Sequence, residues 1–243
     1  MTITPETLAK LRSFDTPTIC NIIEVFEVRP RNTGFMDDHI KACFPEMPPV
    51  VGFAATATFR SSAPPQKGDV YSAMEDQVAR FGELSGPPVV VFQDVDSPPV
   101  AATFGEIMCT TYQTFGATGL ITSGAARDLD QVRRIGFSVF SSGVISAHGY
   151  CHIPQVHVPV HVGGIAIYPD DLLHADCNGV TTIPREIASE VAEVGAEFVA
   201  AENIILETLH KEGANYQLFL AARAESKARI QSLRKRVSRA KVG

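Results

Sequence analysis

Long apolar runs are missing from this 243-residue chain, so no segment reads as a bilayer span. The N-terminal stretch MTITPETLAKLRSF has neither the basic start nor the apolar core of a secretory signal, and a soluble cytoplasmic protein is expected. Cysteine is sparse: Cys20, Cys43, Cys109, Cys151 and Cys177 are odd in number, scattered, and include no C-x-x-C pair. That argues against a disulfide framework and a thiolate zinc site, and leaves them as small buried apolar groups. No glycine-rich loop follows an early strand, as a dinucleotide or methyl-donor domain requires. The nearest doublet, Gly163-Gly164, sits in β-rich sequence with no helix after it. Internal repeats and low-complexity linkers are absent. A net positive charge is lacking in the body. The net charge is -6, yet residues 223–243 hold eight basic residues against Glu225, so residues 1–222 carry -13 by difference. An acidic body is a poor nucleic-acid surface, and none is expected as a partner.

What is present suffices for one large folded unit. Hydrophobic residues make up 45% of the chain and charged residues 20%, enough for a sizeable core without a disordered tract. One α/β domain over residues 1–222 is expected, with a basic helical tail over 223–243. Thr4–Val28 reads as helix, interrupted at DTPT, where Asp15 or Thr16 can cap a restart at Pro17. Val51–Ser62 reads as a strand, Val70–Leu84 as a helix, and the apolar run Pro87–Asp96 as a strand inside a sheet. A glycine turn and helix follow, then a strand at Gly119–Thr122, a helix near Leu129–Ile135 and a strand at Phe137–Ser141. Val156, Val158, Val160 and Val162 alternate with His157, Pro159 and His161, the pattern of a half-exposed strand. Asn178-Gly179 marks a turn before a closing strand, and a long helix runs from Ile187.

Two short segments can carry chemistry. GLITSGAARDLDQVRRIGF (Gly119–Phe137) places Arg127 and Asp128 between a strand and a helix. As structure, Asp128 caps that helix and Arg127 faces water. As function, Arg grips a carboxylate with two parallel hydrogen bonds, and Asp is a hard ligand suited to Mg²⁺. FGEIMCT (Phe104–Thr110) offers the backbone amides of Ile107 and Met108 to an anion, with Glu106 beside them. Spacing does not show whether the two segments meet.

The ordered set VVGFAATATF, KGDV, VFQDVD, FGEI, GLITSGAARD, VFSSG, VPVHVGGIAIYPDD and ADCNGVTTIP resembles the RraA-like family over roughly residues 10–185. That family holds 4-hydroxy-4-methyl-2-oxoglutarate aldolases, oxaloacetate decarboxylases and the regulator of ribonuclease E activity. The resemblance implies a compact, swivelling-domain-like α/β/β/α sandwich, here with a C-terminal helical extension. It also implies trimers or dimers of trimers with sites between subunits. By resemblance, Asp128 binds a divalent cation, Mg²⁺ or Mn²⁺, mostly through waters. Arg127 contacts a 2-oxo acid. Gly105, Glu106, Ile107 and Met108 form the loop whose amides hold the pyruvyl carboxylate, and Glu202 is the nearest match to an acid donated by a neighbouring subunit.

The implied reaction is cleavage of a C–C bond in a 4-hydroxy-2-oxo acid, or decarboxylation of oxaloacetate, through a pyruvate enolate stabilised by the cation. No lysine is needed. The alternative is a non-catalytic regulator that holds a protein partner such as a ribonuclease. Three departures from the family pattern stand out: Ser123 where an acid is usual, Pro169-Asp170-Asp171 for Pro-Gly-Asp, and Cys20-Asn21-Ile22-Ile23 near the N-terminus. His148, His152, His157 and His161 lie within fourteen residues; a polar strand face explains His157 and His161 better than a metal site, while His148 and His152 fall in a loop where they can help select a substrate.

Overall fold

The computed structural model describes residues 3–69 and 73–240. The helices are α1 (Pro5–Arg12), α2 (Thr16–Phe26), α3 (Met74–Ala79), α4 (Glu106–Thr114), α5 (Leu129–Arg134), α6 (Ala188–His210) and α7 (Tyr216–Val237). The strands are β1 (Lys41–Ala42), β2 (Val50–Phe59), β3 (Pro88–Asp94), β4 (Ala102–Phe104), β5 (Gly119–Thr122) and β6 (Ala125–Ala126). They continue with β7 (Ser138–Ser141), β8 (Gly143–Val144), β9 (Val160–Val162), β10 (Ile165–Ile167), β11 (Leu172–Asp176) and β12 (Gly179–Ile183).

Seven strands form the main sheet in the order β1-β7-β5-β3-β2-β11-β12. Its centre, β2, β3, β5 and β7, is parallel, whereas β1, β11 and β12 pair antiparallel. Every residue of β2 is buried, as a strand covered on both faces demands. One face packs Val51 and Phe53 against α1, α2, α6 and α7, and Ala57, Phe59 and Phe92 against α4 and α5. The other face packs Ala54, Val89 and Ile121 against Val160, Val162 and Ile167 of the β9–β10 hairpin. The mixed α/β class expected from the sequence is what the chain adopts, with C-terminal helices added.

Asp15 caps α2, its Oδ1 accepting from Thr18 N at 2.8 Å. Buried His174 on β11 ties this corner to the sheet. Its Nδ1 lies 2.9 Å from Thr16 Oγ1 and its Nε2 lies 3.2 Å from Leu11 O, so the ring bridges both N-terminal helices.

Three local expectations need correction. The valine strand is confined to Val160–Val162, because His157 takes a left-handed backbone (φ 57°) and ends the alternation. The long C-terminal helix is two antiparallel helices. The chain turns at Gly213 (φ 81°), and the Asn215 side chain caps α7 by accepting from Gln217 N and Leu218 N. Residue 223 therefore lies within α7, whose Leu233 and Val237 are buried against the body, while Arg236 pairs with Glu197. The helix expected at Val70–Leu84 is α3 followed by a 3₁₀ turn at Arg80–Glu83; residues 70–72 lie outside the described residues.

Candidate functional site

A small parallel sheet, β4-β6-β8, builds the site. Each of its strands is only two or three residues long, too short for sequence periodicity to reveal. Phe104 of β4 pairs with Ala126 of β6, and Arg127 N donates to Phe104 O at 3.2 Å. That register sets Gly105, at the head of α4, beside Arg127, at the head of α5.

The two loops meet through Asp128. Its Oδ2 accepts from Glu106 N at 3.1 Å and lies 3.7 Å from Arg127 Nε. Asp128 stands at the N-terminus of α5 in a left-handed conformation (φ 55°, ψ 38°), yet its side chain does not cap α5. It caps α4 instead, so the structural reading of Asp128 holds for the wrong helix. Asp is among the few non-glycine residues that tolerate this conformation. Gly105 is buried between the loops: a Cβ there would sit 2.5 Å from Asp128 Oδ2 and 3.0 Å from Arg127 Nε. Its backbone is extended (φ -151°), so close approach and not backbone freedom requires the glycine.

Gly105 has no side chain to cap α4, and Asp128 engages only the Glu106 amide. The Ile107 and Met108 amides follow in the same unpaired first turn. The Met108 side chain is 2% exposed and belongs to the core, so only its backbone can face the site, whereas Ile107 is 68% exposed. Glu106 is exposed, and Arg127 and Asp128 are part-buried. Asp128 Oδ1 has no hydrogen bond among the described residues, which leaves one carboxylate oxygen for a hydrated dication. A hard carboxylate oxygen of this kind fits a divalent cation that keeps most of its waters.

Glu202 lies elsewhere in the chain. It projects from α6 in the helical layer over the amino-terminal half of β2, where burial and then Asp15 raise its carboxyl pKa. Within one chain it does not join Arg127. The four histidines do not gather either. His161 is exposed on β9, His152 is buried with Nδ1 2.7 Å from Tyr150 O, and His157 lies 3.5 Å from Glu83. Among the described residues, the one group of three candidate metal ligands is Asp37, Asp38 and His39, all exposed.

Sequence reasoning missed what lies under the site. Ser123, the position that departs from the family pattern, accepts from Asp94 N through Oγ at 2.9 Å. Both line a cleft of about 480 Å³ with Asp37, Gln93, Ser142 and His161. The signal was Asp94 itself, a carboxylate closing a wholly apolar strand.

Known proteins agree with this architecture. A Pseudomonas syringae crystal structure superposes with a TM-score of 0.71 at 21% identity, covering 92% of this chain and 95% of that one. A Streptomyces coelicolor protein, described as an unusual member of the RNase ES inhibitor RraA protein family, gives 0.66 at 20% identity over 82% and 95%. At such identities the likeness is one of fold. A Halalkalibacterium halodurans protein named "Putative 4-hydroxy-4-methyl-2-oxoglutarate aldolase" is 31% identical over 102 residues, 42% of this chain and 49% of that protein. The match thus spans about half the length of that relative. The family model described as RraA-like, Aldolase/RraA, matches residues 16–182, which include both site loops, and the chain belongs to that family.

Proposed function

We propose that this chain is a divalent-cation-dependent lyase that releases pyruvate from a 4-hydroxy-2-oxo acid, from oxaloacetate, or from both. The observation that supports it is the junction of the Gly105–Met108 turn with Arg127 and Asp128 around a single carboxylate. Asp128 would hold Mg²⁺ or Mn²⁺ through Oδ1 and waters, with Glu106 next to them. A bound dication supplies Lewis acidity, offsetting the negative charge that gathers on the 2-oxo oxygen.

The chain's own residues do the rest. The Arg127 guanidinium grips the substrate carboxylate, and the Ile107 and Met108 amides fix its plane. Holding the acid at two points converts the cleavage into a positioned unimolecular step. Glu106, exposed at the rim, accepts the 4-hydroxyl proton directly or through a water as the C3–C4 bond breaks. It returns a proton to C3 of the departing pyruvyl fragment. Loss of CO₂ from oxaloacetate needs only the return of the proton, so one site serves both reactions. Copies would assemble as trimers or dimers of trimers, and a neighbour's α6 would bring Glu202 as a second proton carrier. The test is pyruvate release with and without chelator. Turnover that chelator leaves unchanged, or that survives Asp128→Ala, contradicts the proposal.

A second reading, a non-catalytic regulator, draws on the end of the α6–α7 hairpin. Leu206, Leu209, Tyr216, Leu218 and Leu220 are exposed there, an apolar surface suited to a protein partner. Retention of a partner without pyruvate formation from any oxo acid would favour it.

A further inference from the structure

Beneath the Arg127 loop lies a carboxyl that the proposed chemistry does not use. Asp94 ends β3 at the carboxyl edge of the parallel strands and is 8% exposed. Its Oδ1 accepts from Asp96 N at 3.0 Å, while Oδ2 is buried without a hydrogen-bond partner. A buried carboxylate oxygen with no donor is costly, and such a group favours its neutral form. Burial pushes the Asp94 carboxyl up to about 6, with a smaller push from Asp96 and an opposing pull from the Asp96 amide.

Oδ2 packs against Gly124. A Cβ on Gly124 would lie 2.6 Å from Asp94 Oδ2 and 2.0 Å from Thr103 Oγ1. Gly124 N donates to Thr122 Oγ1 at 2.9 Å, and Thr122 Oγ1 donates to Thr103 Oγ1 at 3.1 Å. Thr103 stands two residues before Gly105, and Gly124 three before Arg127. Gly124 O in turn accepts from Ser142 N and Oγ, beside β8. One buried knot therefore joins the strands from which both site loops spring, and Asp94 sits under it.

We propose that Asp94 is a positioning residue for this site: its carboxyl, packed with Oδ2 against Gly124, seats the Gly124 turn and so sets how the Glu106 turn meets Arg127 and Asp128. This rests on the reading that those two loops form the site. The neutral acid fits against Gly124. Ionisation places a full charge there with no donor in place, and relief requires the turn to shift or water to enter. Either movement reaches Arg127 within three residues. The charged neighbours are few. Asp96 follows on the same strand exit, and Asp37, His39 and His161 line the adjoining cleft. From β4 and β5 come the uncharged Thr103 and Thr122, bonded to each other.

Amide spectra of the full ¹⁵N-labelled chain, taken from about pH 4.5 to 8, test the proposal. The Glu106, Gly124 and Arg127 amides are expected to move together with a midpoint near 6 in the wild type. In Asp94→Asn they should stay at their acid-limit positions, while His161→Gln keeps the wild-type curve. Amides that stay still in the wild type, or titrate unchanged in Asp94→Asn, overturn it. Where pyruvate release is measurable, kcat/KM of Asp94→Asn should lose the limb near pH 6 that the wild type shows; a limb that persists also overturns it. Absence of turnover in the wild type counts against the lyase reading alone, because the amide titration decides the role of Asp94 independently.

Discussion

Replacing Gly105 by Ala adds one methyl group at the tightest point of the site. The added Cβ would stand 2.5 Å from Asp128 Oδ2, about 0.7–0.9 Å inside ordinary contact, and 3.0 Å from Arg127 Nε. The backbone at residue 105 is extended and admits Ala without strain, so the carboxylate and guanidinium must move. Moving Asp128 stretches or breaks its bond to Glu106 N, now 3.1 Å. A hydrogen bond to a charged, part-exposed group contributes about 1–2 kcal/mol, and Ala in place of Gly at a helix cap costs about 0.5–1 kcal/mol more. Stability measured by urea unfolding should fall by about 1–3 kcal/mol. Displacing a positioning group by roughly 1 Å costs about 100-fold in rate, and kcat/KM for pyruvate release should drop by about that factor. An alanine variant within about twofold of wild-type turnover and about 0.5 kcal/mol of wild-type stability would refute the packing argument.

Further expectations follow from particular residues. Arg127→Lys keeps the charge but loses the two-pronged grip, and KM for the oxo acid should rise roughly tenfold or more in steady-state assays with little loss of fold stability. Leu233→Ala, at a site 1% exposed where α7 meets the body, should cost about 2–4 kcal/mol in urea unfolding; a loss below about 1 kcal/mol would mean that α7 is not packed there. His174 should make the fold acid-sensitive. Burial lowers its pKa below 6.5, and its bond to Leu11 O only partly offsets this. The unfolded chain therefore binds the proton more readily, and the stability from neutral His174 is present above pH 6.5 and lost as pH falls below it. Unfolding midpoints recorded from about pH 7.5 to 5 should decline, and the decline should flatten in His174→Gln.

Much of this fold could be read from residue patterns, and the limits have physical causes. The apolar run ending at Asp94 and the Gly119–Thr122 run were visible because central parallel strands are buried on both faces and long enough to stand out. β4, β6 and β8 were invisible at two or three residues each, yet the β4–β6 pairing sets Gly105 beside Arg127. The Arg127–Asp128 dipeptide was identifiable as chemistry, but no local pattern could show that Asp128 caps α4 from twenty-two residues away. Two misreadings had signals in hand. Pro154 and Pro159 around the valine alternation disfavour a long strand, and Gly213 with Asn215 is a stop followed by a cap.

In the proposed lyase, Asp128 holds a dication beside Arg127. Titration of the full-length chain with Mn²⁺ in the presence of pyruvate, followed by electron paramagnetic resonance, measures this directly. One Mn²⁺ should bind per chain, with a signal that changes when pyruvate is added, and this binding should be lost in Asp128→Asn. Equal Mn²⁺ binding by wild type and Asp128→Asn, or a Mn²⁺ signal indifferent to pyruvate, would contradict it.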